Sequence, residues 1–387
     1  MQDTTAPAAP SPPPPAVRAG CAGRAGGQDL VFRRFADVSV IAQHPAFEVK
    51  DADWFDTHRP GWRQSPGMRL FATSSLFHNG VSHQRLRKVM APAFGPARLR
   101  DLAATVRTTI ERLLDRLGAL PHGDVIDLHA LFTLPVTLST GCALIGLPDE
   151  HGPFVYEQVQ PLLALLDPEA GSATLVRANR AANLLKPYLE RLIVERRARP
   201  VGDLASLVAV GLGADEAASA LTLALAASFD TTTTLLDQAI TALLAAPERA
   251  AVACGQATAV DAAISEALRL AAPVQLLTRV ARQEMTVGGV RVTAGQEVTA
   301  LIAAAHRDPE HYLEPDAFRP ARPPGRLLTF GGGTHYCLGA QLARLEASLA
   351  LPAVLRRFPR MAAAGPPRPN DRVTLRGWME LPVVLGR

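Results

Sequence analysis

Apolar side chains recur at helical spacing over most of the chain, with segments reading as helices at roughly His83 to Met90, Ala97 to Leu120, Leu128 to Ile145, Gly152 to Leu166, Ala173 to Ala198 and Ala214 to Ala246. The last pattern is the longest; about 32 residues at a rise of 1.5 Å make roughly 48 Å, enough to cross a whole domain. Asp215 and Glu216 in its first turn and Pro247 beyond its end fit a helix start and stop. A further helix is expected around Asp261 to Leu270. The period then changes: Val-Gly-Gly-Val-Arg-Val-Thr-Ala-Gly-Gln-Glu-Val from Val287 predicts short strands in a hairpin-like set. Near the start, Leu30 to Val38 predicts a short strand and then a helix. The stretch from Glu48 to Thr73, rich in Asp, Arg and Pro, reads as an irregular active-site loop. The fold class is mainly α with small β-sheets.

Composition narrows the classes. The 387 residues are 48% hydrophobic and 20% charged, which suits a chain that buries a large core, and no internal repeat or linker divides residues 29–387, read as one catalytic domain. Residues 1–28, with the run Ala9 to Pro15, read as a disordered Pro/Ala-rich tail without a signal-peptide core. The uncharged run Ala130 to Pro148 is broken by Pro135 and Gly141 and reads as a buried helix instead of a membrane span. Cys21, Cys142, Cys254 and Cys337 stand in unrelated contexts, with no disulfide framework and no paired zinc spacing, which implies a reducing compartment, the cytoplasm. A net charge of +4 without basic runs interleaved with aromatics argues against nucleic acid, and a basic face could receive an acidic protein.

The segment Phe330-Gly-Gly-Gly-Thr-His-Tyr-Cys-Leu-Gly339 runs directly into a helical pattern from Ala340. It places Cys337 at a helix N-terminus, where backbone N–H groups and the helix dipole favour a thiolate, and its glycines let the loop approach a flat cofactor. A lone cysteine would read as a small buried hydrophobe, but this loop changes the reading. A phosphate-binding loop does not fit, because no Gly-Lys-Ser/Thr follows and Tyr336 occupies the place of a third dinucleotide-loop glycine.

This loop resembles the haem loop of the cytochrome P450 family, Phe-Gly-x-Gly-x-His-x-Cys-x-Gly, at every fixed position. The resemblance runs from about Leu30 to Arg387 and implies the P450 fold, with haem b lying between the long central helix and the Cys-loop helix. It implies that Cys337 ligates the iron, that Phe330 packs on the thiolate side, that His335 reaches a propionate, and that Gly339 belongs to the haem-binding loop. Glu266 and Arg269 match the family's Glu-x-x-Arg, a structural ion pair; alone, such a pair reads as a solvated surface contact. His83 and Arg87 match a His-x-x-x-Arg helix and, with Arg279, imply further propionate contacts. Ala226 to Thr232 is similar to the oxygen-activation motif, with Asp230 and Thr231 as proton-relay residues and Ser228 where glycine is usual. The family's leading strand and first helix have little room at this N-terminus.

Matched segments imply substrate contacts from Leu225, Ala226, Ala227, Val274, Gln275, Leu276, Leu277, Trp378 and Met379, mostly apolar. The resemblance thus implies a monooxygenase that activates dioxygen and hydroxylates or epoxidises a small, largely apolar molecule of secondary metabolism. Electrons would come from a separate ferredoxin or flavodoxin, met by Arg85, Lys88, Arg98, Arg326 and Arg344 on a monomer that binds no membrane. Oxidative C–C or C–N coupling by the same family, and a non-catalytic haem sensor, stay open at this point.

Overall fold

The long apolar pattern forms one helix, Ala214–Leu244, in a computed structural model that describes residues 30–386 except 122, 169 and 324. The expected tail over residues 1–28 lies outside the described residues. Asp215 and Glu216 occupy the helix's first turn, and Glu216 Oε2 accepts from the Gly213 amide at 3.4 Å, meeting one of the free donors there. This helix joins two apolar cores. Leu221, Leu225 and Phe229 pack in one core with Leu144, Val159 and Leu185. Leu235, Ile240 and Leu243 pack in the other with Ile110, Ile264 and Leu351. Each such side chain contributes about 1.5–3 kcal/mol by leaving water. Gly141 on the neighbouring helix Leu134–Ile145 allows close approach: a Cβ there would lie 2.5 Å from Phe229 Cε1.

Around the central helix run Gly80–Met90, Pro96–Gly118, Gly152–Leu163, Ser172–Ala198, Leu204–Gly211, Ala257–Ala271 and Ala340–Arg357. The uncharged run Ala130 to Pro148 becomes a single π turn, His129–Thr133, followed by the largely buried helix Leu134–Ile145. His129 Nδ1 and Thr133 Oγ1 of that turn bond the buried Asp237 carboxylate of the central helix, at 2.8 and 2.5 Å. No single helix among the described residues is long and apolar enough to cross a membrane.

The strands form a sheet in the order Leu30–Phe32, Glu297–Leu301, Leu276–Ala281, Phe47–Glu48. Leu30 lies beside Val298 in a parallel pair, and the other pairs are antiparallel. The expected hairpin is Met285–Val287 against Val290–Val292, turning at Gly288 and Gly289, whose φ of 56° and 81° belong to the tight turn that matches strand twist.

Two expectations are corrected. Glu48 to Thr73 is not an irregular loop but carries helices Ala52–His58 and Pro66–Ala72. Asp51 caps the first by accepting from the Trp54 amide at 3.1 Å, and Ser65 caps the second by accepting from Met68 at 3.3 Å. Pro66 starts that helix, because its missing N–H is one that a first turn leaves unpaired in any case. The N-terminus also has room for a leading strand, Leu30–Phe32, and a first helix, Phe35–Gln43.

Candidate active site

The loop before Ala340–Arg357 is shaped by its glycines. Gly331 and Gly333 adopt φ of 70° and 58°, and Gly333 packs so closely on the first helix that a Cβ would stand 2.9 Å from the Gln43 carbonyl oxygen. The Cys337 amide donates to Phe330 O at 2.8 Å, closing the loop, and the Arg87 guanidinium donates to Tyr336 O at 2.8 Å from the other side. Phe330 is half-buried, with the Arg344 guanidinium 5.8 Å from its ring centre.

Cys337 itself has the accessible area of an exposed residue, yet burial pushes its thiol above the ordinary value. Both fit a sulfur that faces a space inside the protein. The Gly339 amide, the Arg87 charge and the Ala340 amide act in the opposite direction by favouring the thiolate. A metal ion at the sulfur would complete that deprotonation.

Four basic side chains gather beside this loop. His83, 2% exposed, lies with its ring centre 4.0 Å from that of His335. Burial pulls His83 down to about 4, helped by Arg87 and His78. Burial pulls His335 to about 3, with His83, Arg279 and Arg87 adding to it. Both imidazoles are therefore neutral near pH 7 and can each donate one N–H. Arg279 is lowered to about 10 by burial and remains a cation; its guanidinium donates to Thr278 O at 2.8 Å. Neither Arg279 nor Arg87 has a carboxylate partner among the described residues. A buried guanidinium without a counter-ion is costly, so this cluster fits a ligand that brings carboxylates. Two cations and two neutral donors match the two propionates of haem, beside a thiolate that can take its iron.

On the central helix Leu225, Ala226 and Phe229 are buried, while Ala227 is exposed and Thr231, one turn on, is half-exposed. Exposure in the middle of a buried helix again marks an internal space. Thr231 Oγ1 donates to Ala227 O at 2.6 Å, leaving its lone pairs free. Asp230 does not stand free beside it. Its carboxylate accepts from Arg372 Nη1 at 2.5 Å and from Gln160 Nε2 at 2.9 Å. These two partners escaped the sequence analysis; a half-buried acid in mid-helix requires a cation, but nothing in the sequence assigns that need to Arg372.

Several expected contacts are placed elsewhere. Ser228 donates to Leu225 O at 3.1 Å and lies against Gly141 of the neighbouring helix. Leu225 and Ala226 are sealed in the core at 0% and 1% exposure and offer a substrate no surface. Leu276 is buried opposite Leu301, and Gln275 spends its amide on the Ala271 and Ala272 carbonyls. Val274, Leu277 and Trp378 are half-buried and Met379 is exposed; the Trp378 indole nitrogen is buried without a partner among the described residues. Of the five expected docking cations, Arg85 pairs with Glu216 and Arg344 with Asp261, and Arg98 donates to Ala143 O. Exposed Lys88 and Arg326 have no carboxylate partner among the described residues.

Glu266 and Arg269 do not form a surface pair. At 5% and 1% exposure they make a fork of two hydrogen bonds, 2.8 and 2.9 Å long, and Arg269 also donates to His306 O, Pro315 O and Ala317 O. Arg319 N and Arg322 Nε donate to Glu266 in turn. The pair thus bolts helix Ala257–Ala271 to the segment that leads into the cysteine loop.

The thiolate loop, its carboxylate-seeking cluster and the long helix above define a haem-thiolate enzyme. A family model described as Cytochrome P450 matches residues 255–375. The chain is 32% identical over 342 residues to Cytochrome P450 BJ-3 of Bradyrhizobium diazoefficiens, covering 83% of this chain and 80% of that protein. It is 32% identical over 294 residues to the biotin biosynthesis cytochrome P450 of Bacillus subtilis, covering 75% and 74%. The crystal structure of P450BioI in complex with hexadec-9Z-enoic acid ligated acyl carrier protein superposes with a TM-score of 0.84 at 28% identity, over 92% of this chain and 91% of that one. The chain belongs to the cytochrome P450 family, the monooxygenases whose cofactor is haem.

Proposed function

We propose that residues 29–387 form one catalytic domain that hydroxylates or epoxidises a small, largely apolar molecule in secondary metabolism, with electrons from a ferredoxin or flavodoxin. The observation that carries this reading is the coincidence of two internal exposures: Cys337 on the loop and Ala227 with Thr231 on an otherwise buried helix. A haem held by Cys337 and by His83, Arg87, Arg279 and His335 supplies binding and reductive activation of dioxygen, to which the thiolate donates electron density. The protein's own part is threefold. The basic cluster orients the propionates, the Gly339 and Ala340 amides favour the thiolate against the effect of burial, and Ala227, Val274 and Leu277 present apolar surface to the substrate. Thr231 Oγ1 holds a proton beside the chamber, and Asp230, one residue away, would replace it only after its own carboxylate, paired with Arg372, has taken a proton from solvent.

Acyl chains fall within this substrate class, either free or bound to a carrier protein as in the P450BioI complex. Lys88 and Arg326, with the exposed Tyr336 beside the thiolate, form the docking face for the electron donor of a cytoplasmic monomer. The test is a carbon monoxide difference spectrum followed by turnover with a surrogate ferredoxin pair. A strongly red-shifted Soret band and substrate-dependent consumption of reducing equivalents support the reading. A coupled dimer of substrate as the sole product would make the protein an oxidative coupling enzyme, and a haem spectrum without turnover would make it a sensor.

A further inference from the structure

Helix Ser172–Ala198 packs its inner side, Ala178, Ala182, Leu185, Leu189 and Ile193, into the core. At 100° per residue its outward positions Val176, Arg180, Leu184, Pro187, Arg191 and Val194 fall within an arc of about 80° and extend about 27 Å along the axis. Val176, Leu184 and Val194 are 68%, 48% and 66% exposed, an unusual density of large apolar groups for one outer helix face. Arg177 flanks the same arc. Arg177 donates to Thr174 and Arg191 lies over the Tyr188 ring, and neither these two nor Arg180 has a carboxylate partner among the described residues. The acids of this helix are committed elsewhere: Glu190 to Lys186, and Glu195 to Arg196. Beside the stripe opens a cleft of about 520 Å³ lined by Trp62, Arg69, Asn183, Lys186 and Pro187. Arg69 there is exposed and also lacks a carboxylate partner among the described residues.

We infer that this face is the docking surface of an acidic carrier protein that presents the substrate as a tethered acyl group, an inference that rests on the substrate class proposed above. Charge decides the occupant. A second copy would bring one arginine stripe against another about a two-fold axis, like against like. A bilayer would need a continuous apolar face with aromatic anchors, and here arginines interrupt short aliphatic side chains. An acidic protein satisfies the arginines and covers the valines and leucine at once. The helix packs on Pro66–Ala72, Gly152–Leu163, Leu204–Gly211 and the central helix, with no comparable packing on the cysteine-loop helix Ala340–Arg357 among the described residues.

The experiment uses the holoenzyme and a fluorophore-labelled acyl carrier protein loaded with a hexadecanoyl group, read by anisotropy. Arg180→Glu with Arg191→Glu, two exposed changes, is expected to weaken binding by about tenfold or more, and added salt to weaken wild type in the same direction. The Soret shift caused by free hexadecanoate is expected to be the same in both proteins. Equal carrier binding by the variant and wild type overturns the inference, as does absence of carrier binding by wild type. Arginine-dependent binding to phosphatidylglycerol vesicles with none to the carrier also overturns it. If free hexadecanoate gives no shift while the carrier binds through these arginines, the docking surface stands and the acyl-chain reading of the substrate fails.

Discussion

Replacing Arg269 by alanine removes more than one ion pair. The guanidinium is 1% exposed and makes five hydrogen bonds, two to Glu266 and three to the carbonyls of His306, Pro315 and Ala317. The variant strands a buried carboxylate with only Arg319 N and the long Arg322 contact, and leaves three acceptors to whatever water enters the gap. Breaking a buried pair by removing one partner costs about 3–5 kcal/mol, and the unmet carbonyls add to it. A loss of about 4 kcal/mol is a large part of an ordinary stability of about 5–15 kcal/mol. At about 2 °C per kcal/mol for a chain of this size, the holoprotein should melt roughly 8 °C lower. Thermal unfolding followed by circular dichroism and by the Soret band reads it. Arg269→Lys keeps the charge without the fork and should fall between. The exposed pair Arg291–Glu284 is the control, and Arg291→Ala should leave the transition where it was. A shift under about 2 °C for Arg269→Ala would show that the pair does not bolt the helix to the loop.

The same network carries a pH dependence. Burial raises the Glu266 carboxyl, but Arg269, the Arg319 amide and Arg322 outweigh it and the net value is lowered; this stability is present above the ordinary carboxyl range and lost as pH falls through the depressed folded value. Glu266→Gln should flatten the acid limb of melting temperature against pH, and an unchanged limb would place the acid sensitivity elsewhere. Cys337→Ala should abolish the red-shifted band of the reduced carbon monoxide complex; its persistence would require another ligand. Arg279→Leu should stabilise the apoprotein, which loses an uncompensated buried charge, yet speed haem loss to a scavenger protein by about tenfold or more, and equal haem loss would remove Arg279 from the propionate site. An Asp230→Asn, Arg372→Leu double-mutant cycle in thermal unfolding should give a coupling of about 1–2 kcal/mol, against zero if the two side chains do not meet.

What could be read from the sequence depended on how local each cause is. The cysteine loop was legible because its chemistry is set by backbone: two left-handed glycines and an adjoining helix start lie within ten residues. The central helix was legible from apolar period alone, to within two residues of its end. Side-chain roles on that helix were less so. Leu225, Ala226 and Ala227 are adjacent in sequence but 100° apart around the axis, and only Ala227 reaches the internal space. Arg372 lies 142 positions from the acid it holds, in a segment with no period, so the pairing exists only once the chain has folded. The short helices between Glu48 and Thr73 were hidden because Asp51 and Pro66, among the Asp and Pro taken as signs of loop, start a helix, as does Ser65.

Ser228 shows how such a departure from a family pattern is absorbed. On the central helix the place usually held by glycine carries a Cβ and a hydroxyl, which need volume and a hydrogen bond. The hydroxyl finds its acceptor in the preceding turn, at Leu225 O. The volume comes from the neighbouring helix, where a Cβ on Gly141 would stand 2.7 Å from Ser228 Oγ and 2.5 Å from Phe229. The small residue that accommodates the serine stands on the facing helix, and the serine hydroxyl lies toward Gly141. On the function proposed above, the exposed Ala227 and half-exposed Thr231 would keep their surface for dioxygen and substrate, with Asp230 beside them held by Arg372 and Gln160.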